Sequence, residues 1–550
     1  MKNFPWLDNY DPNVPREIQY PYIPVFDFLS NAAKKFPNRT CVIYKKWKIN
    51  YQQIDYLSTA FARQLVNEGL NLGEPVGVLL SNSPQFVIAF YGILKAGGVV
   101  VSMNPAYLQR ELAFQINDSG VSRLICDRSK LELINSILNI TAIRKVIFTD
   151  DSDLDRLSLL AEYKDDLSTS QQALPEDSFS DYLFRGMNTQ LELPRVQGEN
   201  IAIFQYSGGT TGVPKAAEGT HFNVVANTIQ FREWLSGLQE GNEVVMAAIP
   251  LFHVYGMVIA LSMGIALAAS IILEPNPKDL DAILRHAQQY GATLFPGVPN
   301  LYNAINRHPE VKNGNIRLDT IKACISGSAT LMKETKEKFE LLTGGKLLEG
   351  YGLSEAPTAT HCNPMLGENK IGSIGLPLPD VEAEIVSLED GKTRMPVFIP
   401  GELIIRGPQI MRGYHNMEAE TKNAIRDGWL FTGDVAYMDD DGYFFLIDRK
   451  KDVIKVGGLQ VWPNEVEQAI NEHPDVIEVG VAGVIHPEYG ERVKAWVVKR
   501  PDSKLTAEEL KAWCAEHLAK FKVPSYIQFI DRLPRSSVGK VLRRELAGLE

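Results

Sequence analysis

Along the first 150 residues the apolar positions alternate between a helical and an extended period. Ile54, Leu57, Ala60, Phe61 and Leu65 recur at helical spacing within residues 51–69. The apolar runs at 75–80 and 98–102 predict strands, and 84–96 between them predicts a helix. Further strands at 124–126 and 145–148 continue the alternation, which is the pattern of a parallel α/β sheet. Residues 1–24, rich in Pro, Tyr and Asn, read as an extended lead-in. Residues 150–198 are polar with little periodicity and read as a surface excursion without chemistry. A second α/β run starts at Ile201, with strands expected at 201–204, 243–249, 292–296 and 321–326 and helices at 278–290 and 333–343. Past Pro364 short segments broken by Gly and Pro, such as 382–386 and 401–405, predict a small β-rich subdomain. After Asp448 the pattern predicts an α+β unit with helices near 464–472, 507–519 and after Gly539. The expected fold class is α/β: a large N-terminal domain, 1–448, of two α/β subdomains plus the β-rich one, and a smaller α+β C-terminal domain, 449–550.

One uncharged stretch, 256–273, approaches the length of a membrane span. Ser262, Gly264 and Ser270 interrupt it and no Lys or Arg flanks it closely, so the expectation is a buried helix to about Ala268 followed by a core strand at 270–273. The N-terminus lacks the apolar core of a signal peptide. Cys41, Cys126, Cys324, Cys362 and Cys514 are scattered without CxxC spacing, which suits a reducing compartment and neither a disulfide framework nor a zinc site. With 45% apolar and 22% charged residues the composition is that of an ordinary globular protein. The net charge of −11 argues against a nucleic-acid partner, because phosphate backbones need clustered Lys and Arg. A cytoplasmic location is expected; peripheral contact with a membrane surface and a homodimer stay open.

The chemistry concentrates in Gln205-Tyr206-Ser207-Gly208-Gly209-Thr210-Thr211-Gly212-Val213-Pro214-Lys215, directly after an apolar strand. Glycines let main-chain N–H groups approach a ligand closely, and Ser207, Thr210, Thr211 and Lys215 add hydroxyls and a cation suited to a polyphosphate. The stretch is not the common nucleotide loop: Pro214 precedes the lysine and Ala216 follows it. Taken alone, it reads as either a phosphate cradle or a mobile turn.

Four further segments follow in order: Tyr351-Gly352-Leu353-Ser354-Glu355, Gly428-Trp429-Leu430-Phe431-Thr432-Gly433-Asp434, Asp448-Arg449-Lys450-Lys451-Asp452 and Pro534-Arg535-Ser536-Ser537-Val538-Gly539-Lys540. Together the five segments resemble the adenylate-forming superfamily of acyl-CoA synthetases, peptide-synthetase adenylation domains and beetle luciferases. Within it they are most similar to bacterial long-chain fatty-acid CoA ligases, with plant-type aryl-acid (4-coumarate-type) CoA ligases second. The resemblance implies that a carboxylic acid and ATP form an acyl-adenylate and pyrophosphate, and that CoA then attacks the activated carbonyl. ATP, Mg²⁺ and CoA are the implied cofactors, and a small-molecule carboxylic acid the partner.

The resemblance also implies roles. Residues Ser207, Gly208, Gly209, Thr210, Thr211, Gly212 and Lys215 hold the β- and γ-phosphates; Glu355 is the magnesium carboxylate, with Thr211 close to the phosphates and metal. Gly350, Tyr351, Gly352 and Ser354, with Ser328, form the adenine shelf. Asp434 takes the ribose hydroxyls and Arg449 adds a second ribose or phosphate contact. Taken singly, Glu355 also reads as a helix N-terminal charge and Asp434 as a turn residue. Lys540 is the implied adenylation lysine, a point charge for the carboxylate and α-phosphate. A mobile C-terminal domain hinged at Lys451 would bring Gly457, Gly458 and Gln460 to the pantetheine arm.

The resemblance implies that His253 stands at the family's aromatic or imidazole gate beside the acyl carbonyl; a partly buried structural histidine is the other reading. Residues 255–260 and 296–302 carry no charge, which suits an apolar acyl tail and leaves no Asp for an amino-acid ammonium. An adenylating enzyme that hands its acyl group to a carrier protein is the remaining alternative. Two departures from the family pattern stand out: Gly327-Ser328-Ala329-Thr330 where Gly-Gly-Ala-Pro is more usual, and Ala216 where a glycine is usual.

Overall fold

The computed structural model describes residues 4–162, 178–207, 214–327, 329, 331–456, 459–486, 490–535, 541–546 and 548–549. They divide into two compact units: one of Leu7–Val381 with Arg406–Asn423, the other of 4–6, Glu382–Ile405 and the residues from Ala424 onward.

In the larger unit, strands Ile201–Ser207, Val99–Ser102, Pro75–Leu79, Arg123–Asp127 and Lys145–Thr149 lie side by side in parallel. Lys215–Thr220 and Gly413–Tyr414 extend this sheet with antiparallel pairings. The parallel sheet is as expected, but its membership is not. Residues 201–207, read as the start of the second run, belong to the first sheet, with Ile203 opposite Val100 and Phe204 opposite Val101. Conversely, Thr40–Tyr44 and Trp47–Asn50 join Ser270–Leu273 and Val244–Ala247 in another sheet. Val99–Ser102, Ile201–Ser207, Thr40–Tyr44 and Ser270–Leu273 are all largely buried apolar runs that fit either core, so chain order does not decide the partner. Leu79, Val99, Val101, Leu124, Phe204 and Ala216 meet in one such core.

Local chemistry accounts for most helix starts. Asn50 and Gln53 make a reciprocal capping box at the start of Tyr51–Asn67. Ser83 caps Pro84–Lys95, and proline stands where a helix needs no N–H. Residues 292–296, expected to be a strand, make isolated bridges at Leu294 and Gly297 in place of a ladder. Pro296 has no N–H to donate. The surface excursion expected at 150–198 is corrected where residues are described, since helices Asp151–Glu162 and Phe179–Met187 form there; 163–177 lie outside the described residues. Phe179, Tyr182 and Leu183 are buried on one face. Gly186 sits so close to Tyr51–Asn67 that a methyl group there would fall 1.9 Å from the Ala60 carbonyl oxygen.

The uncharged stretch is core, as expected. Gly256–Ser262 winds as a π-helix, Met263–Ala266 as an α-helix, and Ser270–Leu273 is a wholly buried strand. Among the described residues no helix is long and apolar enough to cross a membrane.

The smaller unit holds two sheets. One comprises Glu382–Val386, Gly401–Arg406, Trp429–Met438, Ile425–Arg426 and Phe444–Arg449. The other comprises Leu459–Val461, Ile454–Val456, Gly490–Lys499, Val476–His486 and Tyr526–Phe529. Helices Pro463–Asn471 and Ala507–His517 cover the second, burying Val466, Ile470 and Leu510 against Val481, Val493 and Ala495. The short helix Arg543–Leu546 brings Arg543 to Asp448 (2.7 Å), Glu467 (2.8 Å) and Asp452 (3.4 Å).

Candidate active site

The flanks of the glycine-rich loop are paired strands. Ile201–Ser207 and Lys215–Thr220 run antiparallel with Ser207 opposite Lys215. Gly208, Gly209, Thr210, Thr211 and Gly212 lie outside the described residues. Lys215 is largely buried; its ammonium pairs with Glu420 and stands 5.2 Å from the centroid of the Tyr414 ring. The alanine that replaces the usual glycine after it has a structural account. Ala216 is 1% exposed and its methyl fills the sheet core beside Phe204.

Lys346–Gly352 pairs in parallel with Ala323–Ser326 and antiparallel with Ala359–Cys362. Gly350 faces Cys362 and Tyr351 faces His361, whose ring lies 6.0 Å away at 65°. The register then shifts, and Gly352 is forced: a Cβ there would stand 1.7 Å from the Thr358 carbonyl oxygen. Leu353 N–H donates to that same carbonyl (2.9 Å), closing the turn that carries Ser354 and Glu355. Asn227 braces the far end. Its Oδ1 accepts from the N–H groups of Thr358 (2.8 Å) and Ala359 (3.1 Å), and its Nδ2 donates to the Ala359 carbonyl (2.7 Å).

Glu355 lies in this turn between two strands, so the helix-terminus reading of it does not hold. Tyr414 Oη donates to Glu355 Oε1 at 2.8 Å. Lys215, Tyr414 and Glu355 therefore form one chain of contacts. Sequence reasoning missed Tyr414 and Asn227. Each acts through a partner more than fifty positions away, and no local motif marks either.

Glu349, on the same strand, is 7% exposed and accepts from Leu331 N–H at 3.2 Å. Burial, opposed by that bond and by Lys336, pushes its carboxyl up to about 8. Ser328 lies outside the described residues.

His253 follows the turn at Pro250, to whose carbonyl its N–H donates at 3.2 Å. Its Nδ1 accepts from Tyr255 N–H at 3.2 Å, so the neutral ring carries its proton on Nε2. Protein packed around the ring pushes it down to about 4, although part of its surface stays accessible. Tyr255 Oη donates to the carbonyls of Ile325 (2.7 Å) and Gly297 (3.2 Å). Tyr302 Oη donates to those of Phe295 and Ile325, both at 2.8 Å. The two hydroxyls in the uncharged stretches are thus spent on main-chain carbonyls at the end of Ala323–Ser326.

In the smaller unit Asp434 stands inside the strand Trp429–Met438, directly opposite Arg449, with Nε 2.6 Å from Oδ1. The turn reading of Asp434 does not hold. Glu402 supports this pair's neighbourhood, accepting from Gly433 N–H (3.2 Å) and from Lys450 Nζ (2.7 Å). Lys451 follows in an exposed turn, and Gln460 is exposed on Leu459–Val461 opposite Lys455. Gly457, Gly458 and Lys540 lie outside the described residues; a bridge between Arg535 and Val541 brackets the last.

Among the described residues no group of three or more His, Cys, Asp or Glu side chains could cage a metal. A single carboxylate, Glu355, linked through Tyr414 to Lys215, instead suits magnesium, which is held by one or two carboxylates, substrate phosphates and water.

Residues 29–415 match the AMP-binding enzyme family and 465–540 match the AMP-binding enzyme C-terminal domain. A long-chain-fatty-acid–CoA ligase of Bacillus subtilis (strain 168) is 40% identical over 98% of this chain and 97% of its own. A 4-coumarate–CoA ligase of Oryza sativa subsp. japonica is 31% identical over 90% of this chain and 87% of its own. Among solved structures, ATP-bound MatB from Rhodopseudomonas palustris superposes with a TM-score of 0.83 at 27% identity, covering 96% of this chain and 99% of its own. Such ligases consume ATP and CoA with Mg²⁺. The chain belongs to the AMP-binding enzyme family as an ATP-dependent, AMP-forming acyl-CoA ligase.

Proposed function

We propose that the carboxylic acid is a medium- to long-chain fatty acid. The carrying observation is that residues 255–260 and 296–302 carry no charged side chain and that the Tyr255 and Tyr302 hydroxyl protons are both donated to main-chain carbonyls, so these stretches offer no counter-charge to an ammonium. Greater identity to the fatty-acid ligase than to the coumarate ligase points the same way.

On this reading Lys215 and the loop Ser207, Gly208, Gly209, Thr210, Thr211 and Gly212 bind the β- and γ-phosphates, and Tyr351 stacks on adenine beside Gly350, Gly352, Ser354 and Ser328. Asp434 accepts from the ribose hydroxyls while Arg449 keeps the carboxylate oriented from across the strand pair. Glu355 and Thr211 hold magnesium, which offsets phosphate charge as a Lewis acid. His253 offers its Nε2–H to the acyl carbonyl as a neutral donor. Lys540 stabilises the charge that develops as the carboxylate attacks the α-phosphate. The boundary between a mobile C-terminal domain and the rest lies at 448/449, with Lys451 as hinge and Gly457, Gly458 and Gln460 at the pantetheine arm.

Pyrophosphate release measured over a panel of carboxylic acids, with and without CoA, tests the reading. Fatty acids should give the highest kcat/KM, with thioester formed when CoA is present. A higher kcat/KM for a hydroxycinnamate would replace the reading with the aryl-acid one. Pyrophosphate without thioester would point to a carrier-protein acceptor.

A further inference from the structure

Tyr414 belongs to none of the five segments, yet it touches two of them. Its place is set by sheet register. Gly413 pairs with Glu218 and Tyr414 with Ala217, while the N–H groups of Arg412 and His415 donate to the carbonyls of Glu218 and Ala216, both at 2.9 Å. Helix Glu418–Ala424 locks the segment from the other side. Tyr414 N–H donates to Thr421 Oγ1 at 2.8 Å, and a Cβ on Gly413 would meet the Thr421 methyl at 2.8 Å. Held there, the Tyr414 hydroxyl donates to Glu355 Oε1 (2.8 Å) and its ring lies under the Lys215 ammonium, 5.2 Å from centroid to Nζ.

We infer that Tyr414 is a positioning residue that sets the Glu355 carboxylate for magnesium and registers it against the phosphate-binding Lys215. The inference rests on the metal role proposed for Glu355. A glutamate on a turn has three side-chain torsions to lose on binding an ion; a bond to one oxygen removes that cost beforehand and leaves the other oxygen for the metal. A neutral phenol suits the task because it orients the carboxylate without cancelling its charge, as a lysine or arginine partner would. The ring face attracts the Lys215 ammonium, so carboxylate and cation keep a common spacing.

The test uses the full chain with Mn²⁺ as probe, titrated by electron paramagnetic resonance into protein saturated with a non-hydrolysable ATP analogue. Tyr414→Phe keeps the ring and the sheet pairing, so the fold is retained. It should weaken Mn²⁺ binding about tenfold, the effect typical of losing an outer-shell partner, and leave metal-free binding of the analogue within about twofold. Thioester formation from supplied acyl-adenylate should be unchanged. Tyr414→Leu, which also removes the ring, should in addition weaken metal-free analogue binding through Lys215. If Tyr414→Phe binds Mn²⁺ like the wild type while Glu355→Gln does not, the inference is overturned and the metal role of Glu355 stands. If Glu355→Gln also binds like the wild type, both fall together.

Discussion

Single buried residues contribute to the pH dependence of stability. His221 and His361 are each fully buried, and burial pushes both imidazoles down to about 3. Their folded values lie below the unfolded value near 6.5, so folding excludes a proton each would otherwise bind. Stability is therefore lost as pH falls below about 6.5, at roughly 1.4 kcal/mol per pH unit for each. Glu349 works in the opposite sense. Its folded value of about 8 lies above the unfolded 4.5, so its contribution is present at low pH and is lost as pH rises through 8. Between 6.5 and 8 both histidines are neutral in either state, so of these three groups Glu349 alone contributes a slope; below 6.5 the two histidines outweigh it. Thermal unfolding followed from pH 5 to 8 should show greatest stability near pH 6.5. Glu349→Gln should flatten the alkaline side and steepen the acidic side below 6.5, where the opposing Glu349 slope is removed. An alkaline slope that survives this substitution contradicts the assignment.

Among the elements, the strand Lys346–Gly352 shows how two glycines of one motif differ in kind. A Cβ on Gly350 would meet the His361 carbonyl oxygen and an Ile325 methyl at 3.4 Å, contacts that a small shift relieves. A Cβ on Gly352 would stand 1.7 Å from the Thr358 oxygen, with main chain on both sides of the clash. Gly350→Ala should cost about 1 kcal/mol or less, whereas Gly352→Ala should cost roughly 1–3 kcal/mol or more, because the turn must open. Opening moves Ser354 and Glu355, so Gly352→Ala should also raise KM for ATP more than Gly350→Ala does. Equal effects of the two on melting temperature and on KM would refute this account. The need for glycine here was legible as a motif, but its cause is a carbonyl six residues on, brought back by Asn227.

The whole molecule has to carry out two half-reactions with one set of residues. On the proposed reading, Lys540 serves adenylation and Gly457 and Gly458 serve thioester formation, each in its own orientation of the C-terminal domain. Lys540→Ala should slow adenylate formation by about 10²–10³, as loss of an electrostatic donor does, with thioester formation from supplied acyl-adenylate near normal. Gly458→Trp should reverse the pattern by crowding the pantetheine path. Separate assays of pyrophosphate release and of thioester formation from synthetic adenylate decide the matter. Equal damage to both half-reactions by either variant would mean one fixed site. The unit boundaries bear on where such a motion divides the chain: by packing, Glu382–Ile405 groups with the residues from Ala424 onward, and Arg406–Asn423 with the larger unit.

The amino-acid sequence alone was enough for everything that local chemistry dictates. Helical and extended periods marked most elements, and Lys333–Thr343 and Glu382–Val386 form with the bounds read from their apolar pattern. Five motifs in order were enough for a resemblance to the family, and the resemblance brought with it ATP, Mg²⁺ and CoA. The tertiary structure decided what depends on distant partners. Ile201–Ser207 joins the first sheet and Thr40–Tyr44 the other because buried strands of similar composition pair by packing, not by chain order. Phe179–Met187 is a core helix because Gly186 permits close approach to Ala60, a contact that no window around 186 contains. Asp434 faces Arg449 through strand register. Tyr414 reaches Glu355 and Lys215, 59 and 199 positions away, only because an edge strand and a threonine hold it there. Hydrogen bonds, charge and packing act over a few ångströms, so the residues they join are readable from sequence only where the chain is also short.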